Sequence, residues 1–63
     1  MPLKLYHALE LTSEGEAIVR IDLHCESVEA AKERAKQLVQ DRPVELWQGP
    51  MRIARFEPQN ESR

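Results

Sequence analysis

Aromatic residues, glycine and cysteine are all scarce in this chain. It has one Trp, one Tyr, one Phe, two Gly and a lone Cys25 among 63 residues. Each scarcity excludes something. A single cysteine forms no internal disulfide, and it fits a reducing compartment better than an oxidising one. Two isolated glycines build no phosphate-cradling loop. No run approaches the roughly 20 apolar residues of a membrane span. The opening MPLKLYHALEL alternates apolar and polar residues and lacks the apolar stretch of a secretory signal. These absences lead us to expect a cytoplasmic protein with no membrane partner. An excess of one charge is missing too. Nine basic and eleven acidic residues interleave, for a net charge of −2. Nucleic-acid binders usually display a basic patch or a high pI, so phosphate binding is disfavoured.

What is present is patterned. Leu3, Leu5, Leu9 and Leu11 occupy odd positions, with His7 between them. Period-two alternation of this kind predicts a half-buried strand. Residues 17–25 repeat it, with Ala17, Val19, Ile21, Leu23 and Cys25 on one face and Arg20, Asp22 and His24 on the other. Ser13-Glu14-Gly15 reads as a three-residue hairpin loop whose left-handed position Gly15 fills. That loop sets Leu11 opposite Ala17, Leu9 opposite Val19, His7 opposite Ile21, Leu5 opposite Leu23 and Leu3 opposite Cys25. Every apolar residue then shares one face.

Residues 27–41 read as a helix. Ser27 is an N-cap, Glu29 complements the first turn, and Val28, Ala31, Ala35, Leu38 and Val39 form one apolar stripe. Pro43 prevents its continuation. Residues 44–57 read as a second hairpin. Its turn is either Gln48-Gly49, which puts Glu45 opposite Arg52, or Gly49-Pro50, which puts Trp47 opposite Arg52. Residues 58–63 have no apolar content and read as a disordered tail after a single domain at 1–57.

The order ββαββ predicts an α+β two-layer fold. Four antiparallel strands run in the order 2-1-3-4, with the helix on the face that bears the odd-numbered leucines. Alternation then sends Tyr6, Ile18, Arg20, Trp47, Arg52 and Phe56 to the uncovered face. Aromatics rimmed by mixed charge mark an interaction surface. A domain this small buries only about 60% of its unfolded surface and often leans on a partner chain. We therefore expect a non-enzymatic interaction module that forms a homodimer through this face. An unidentified protein partner is a second possibility. Single-stranded nucleic acid or a small ligand is the alternative occupant, with Tyr6, Trp47 and Phe56 as stacking platforms and Lys4, Arg20 and Arg52 at the phosphates.

Catalysis is not expected. Cys25 is the only thiol nucleophile, and His24 beside it points to the other face. The predicted register leaves His7 about 14 Å along the sheet from Cys25, beyond hydrogen-bond reach. Asp22, His24 and Glu26 share a face with Lys4, which is hostile to a cation. The sequence thus suggests no metal, no cofactor and no catalytic residues.

The stretch Glu45-Leu46-Trp47-Gln48-Gly49, followed by Arg52-Ile53-Ala54-Arg55, resembles the C-terminal hairpin of short uncharacterised alphaproteobacterial proteins. Those resemble this chain also in an E-A-A helix, here Glu29-Ala30-Ala31. The resemblance covers the second half of the chain and implies no activity.

Overall fold

The computed structural model describes residues 2–58, so the tail read at 58–63 lies outside the described residues from position 59 onward. Strands β1 (Lys4–Leu11) and β2 (Ala17–Cys25) precede helix α1 (Val28–Leu38), and strands β3 (Val44–Gln48) and β4 (Met51–Phe56) follow it. The sheet order is β2-β1-β3-β4, antiparallel throughout. This is the α+β sandwich that the element order predicts.

Both turns have local causes. In the first, the Gly15 N–H donates to the Thr12 carbonyl at 2.9 Å, with Gly15 at φ +90°. The Thr12 hydroxyl accepts from the N–H groups of Glu14 and Glu16, each at 3.2 Å. In the second, Gln48 pairs with Met51 and Trp47 with Arg52, so the turn is Gly49-Pro50. Gly49 has φ +57°. Proline fixes the next φ near −65°, which excludes type I′ and leaves type II′, whose first central position requires glycine. An added Cβ at Gly49 meets nothing within 4 Å. Gly49→Ala should therefore cost only the left-handed backbone penalty, about 1–2 kcal/mol. A urea midpoint checks this, and an unchanged midpoint would refute the turn assignment.

Helix α1 starts where the Ser27 hydroxyl accepts from the Ala30 N–H at 3.2 Å. It ends earlier than the sequence suggests, because Val39 leaves in extended conformation at ψ 127°. The residues after it must cross from the helix to the sheet. Their path is tied down where the Leu11 N–H donates to the Pro43 carbonyl at 3.0 Å.

The main correction concerns β1. Leu11 pairs with Ala17 as expected, but a bulge follows, and Glu10 pairs with Val19 rather than with Ile18. Ile18 is the extra residue. Beyond it, Leu9 faces Arg20, His7 faces Asp22 and Tyr6 faces Leu23. A one-residue shift turns every side chain over. Helix α1 therefore covers Tyr6 and Ala8, not the odd-numbered leucines. The buried cluster is Tyr6, Ala8, Leu23, Cys25, Ala31, Ala35, Val44 and Leu46, with Ile21, Ala54 and Phe56 packed against it. Leu3 and Leu5 are left 56% and 44% exposed. Small residues at 8, 31 and 35 let helix and sheet approach closely, and the Tyr6 ring fills the space between them.

Candidate interaction face of the sheet

The face opposite the helix is built from two rows of paired residues that cross all four strands. One row runs Asp22, His7, Trp47, Arg52, and the next runs Arg20, Leu9, Glu45, Arg55. Leu5 continues the apolar line along β1, opposite His24 on β2. A second bulge, between Leu46 and Trp47, sets Ile53 apart and brings Arg52 and Arg55 to the same side. Plain alternation would separate them from each other's row.

Of the residues placed here from sequence, Arg20, Trp47 and Arg52 are on this face. Ile18 is 47% exposed at the bulge beside it. Two are not on it, and their placement is corrected. Tyr6 is fully buried under the helix, and Phe56 pairs with Val44 on the core side. Sequence reasoning missed Leu3, Leu5, His7, Leu9 and Arg55, all displaced in the reading by the two bulges. The usable signal was that β1 is apolar on both faces, since Tyr6 and Ala8 alternate with the leucines.

The polar groups here are bound to one another. The Glu45 carboxylate is 9% exposed as a residue, a burial that an ion tolerates only when paired. It accepts from the Trp47 indole N–H at 3.0 Å and from Arg52 at 3.1 Å, and Arg55 lies 3.5 Å away. This fixes the indole plane. Arg52 and Arg55 themselves remain half exposed, so the ion pairs add little stability.

At the β2 edge, His7 Nδ1 lies 3.2 Å from Asp22 Oδ1 and 3.2 Å from Arg20 Nη2. Arg20 Nε also donates to Asp22 Oδ1 at 3.3 Å. The hydrogen bond with the His7 ring foremost holds the Asp22 carboxyl below its ordinary value of 3.8; desolvation opposes it, and Arg20 adds to the lowering. Asp22 thus favours the folded state above that pH, and the contribution is lost as pH falls through its lowered value. Between these groups His7, Leu9, Arg20, Trp47 and Gly49 line a shallow depression of about 190 Å³. A larger groove of about 450 Å³ runs between the end of α1 and β4, at Lys36, Val39, Gln40 and Phe56.

Neither hollow holds a nucleophile beside a base. Cys25 is buried on the helix side, whereas His7 and His24 belong to the opposite face. The expectation that His7 shares the face of Cys25 is corrected by the same bulge. Among the described residues no group of three or more His, Cys, Asp or Glu side chains could hold a metal ion. No helix among them is long and apolar enough to cross a membrane. Comparisons with protein-family models, with curated proteins and with solved structures give no match.

Proposed function

We propose that this chain is a small non-enzymatic interaction module whose open sheet face binds a second copy of itself. One observation carries the reading. Leu3 and Leu5, about half exposed, continue through Leu9 into Trp47 along a face that no described element covers. Exposed apolar surface of that extent marks an association site, and a small domain gains stability when a partner buries it.

Three features favour a second copy as the occupant. The arginines of the face already have carboxylate partners, Arg20 with Asp22, Arg52 with Glu45 and Arg55 with Glu57. Such a face is close to neutral and disfavours a strongly charged ligand. Asp22 and Arg52 stand at opposite ends of one row, on the two outer strands. A two-fold axis along the strands would bring Asp22 of one copy over Arg52 of the other, the self-complementarity an isologous dimer needs. The molecule also extends 42 by 24 Å on its broad side, room for the roughly 800 Å² per partner of a standard interface. With Tyr6 and Phe56 on the core side, a nucleic-acid strand would find Trp47 alone to stack on, which weighs against that occupant. The lone thiol fits a reducing compartment, and the reading places the pair in the cytoplasm.

Light scattering across a dilution series into the low micromolar range tests this. The expected mass is twice that of the 7.3 kDa chain, falling on dilution. Leu5→Glu should return the protein to monomer with an unchanged circular dichroism spectrum. A monomer at every concentration would overturn self-association and direct the search to a ligand or an oligonucleotide.

A further inference from the structure

We propose that His7 is a proton switch that weakens this self-association in mild acid. The inference rests on the self-association reading above. His7 sits in the middle of the face, its side chain only 17% exposed, with Asp22 on one flank and Trp47 on the other. Its Nδ1 has two suitors at the same distance, the Arg20 Nη2 donor and the Asp22 Oδ1 acceptor, each at 3.2 Å. One ring nitrogen serves one of them at a time. Bare, it accepts from Arg20. Carrying a hydrogen, it donates to Asp22, and in the neutral ring Nε2 then accepts from the same Arg20 Nη2 group at 3.5 Å. A second proton makes the ring a cation with no acceptor left, and the Arg20 Nη2 group must turn away.

The charge balance follows from every group around the ring. On β2 the neighbours are Asp22 and Arg20, with His24 one step along the face. On β3 they are Trp47, uncharged, and Glu45, which is engaged by Arg52 and Arg55 of β4. On β1 itself, Leu5 and Leu9 flank His7 and carry no charge. With His7 neutral, Arg20 and Asp22 cancel. With His7 protonated, each copy brings one uncompensated positive charge to the seam. A two-fold pair brings two of the same sign, which burial in the interface penalises. Asp22 stays ionised in mild acid, because its carboxyl is held below 3.8. The neutral form of His7 therefore favours association, and affinity falls in mild acid.

The test is the dissociation constant of the full chain at pH 7.5 and pH 5.0, by sedimentation equilibrium, with folding followed by circular dichroism. We expect dissociation to be easier at pH 5.0 by on the order of tenfold per copy, and so about a hundredfold for the two-fold pair, for each pKa unit by which the interface disfavours the imidazolium. His7→Gln, which keeps a polar group of similar reach but cannot titrate, should associate equally at both pH values. His24→Gln should retain the wild-type dependence. Equal wild-type constants at the two pH values would overturn the switch and leave the dimer standing. So would a pH dependence that survives His7→Gln. If His7→Gln does not fold, His7→Asn takes its place, and loss of the dependence in His24→Gln instead would also overturn the assignment. A monomer at pH 7.5 in all samples would overturn the self-association reading, and this inference with it.

Discussion

Tyr6→Ala is expected to unfold most of the population, whereas Tyr6→Phe is expected to raise the melting temperature. Tyr6 has no exposed surface and is one of the two largest fully buried side chains, with Leu46. Truncating a buried aromatic ring to alanine typically costs about 3–5 kcal/mol. A domain of this length has about 3–9 kcal/mol in total, at 0.05–0.15 kcal/mol per residue. The core has little with which to refill the hole, because its helix contributes Ala31 and Ala35. The opposite sign for phenylalanine comes from one atom. The Tyr6 hydroxyl is buried without a hydrogen-bond partner among the described residues. An unsatisfied buried group costs about 1–3 kcal/mol, and phenylalanine removes it while keeping the ring. Each kcal/mol is worth about 4–8 °C in a domain of this size. Thermal unfolding of the two variants checks both signs. A less stable Tyr6→Phe protein would mean that the hydroxyl is satisfied, by a bound water for example.

Leu46→Ala and Trp47→Ala should produce different defects from adjacent positions. Leu46 is fully buried against the helix, so its truncation should cost about 2–5 kcal/mol. Trp47 is on the other side of the sheet, half-buried, with its indole held by Glu45. Its truncation should cost one net hydrogen bond, about 0.5–1.5 kcal/mol, plus the packing it makes with His7 and Leu9. The association constant should collapse, since a central Trp is the usual anchor of an interface. Paired urea titrations and sedimentation runs distinguish the two. Unfolding in Trp47→Ala with association intact in Leu46→Ala would reverse the assignment of the faces.

Much of this architecture is legible without coordinates. Gly15 and Gly49 mark turns, and both adopt positive φ. Ser27 marks a helix start, and its hydroxyl caps the helix. The faces of β2 and β3 follow from alternation: Leu23 and Cys25 are buried, as are Val44 and Leu46. The strand order follows from the element order, because a helix returning along the sheet leaves β3 the free edge of β1. Local chemistry determines all of these, since each depends on residues within a few positions.

The face of β1 was a different kind of question. That strand carries leucines on one side and Tyr6 and Ala8 on the other, so its own pattern permits either burial. The choice was made by a single extra residue, Ile18, accommodated in the neighbouring strand. Such a bulge has no strong local signature. It is selected by how well Tyr6 and Ala8 pack against Ala31 and Ala35, which are distant in sequence. The composition of the open face followed from that choice. Leu3 and Leu5 became surface while Leu11, before the bulge, stayed buried, and His7 came out between Arg20 and Asp22. The sequence alone determined the elements, the turns and their order. Only the tertiary structure decided which side of β1 meets the helix, because side-chain direction in a strand inverts with each one-residue shift in register.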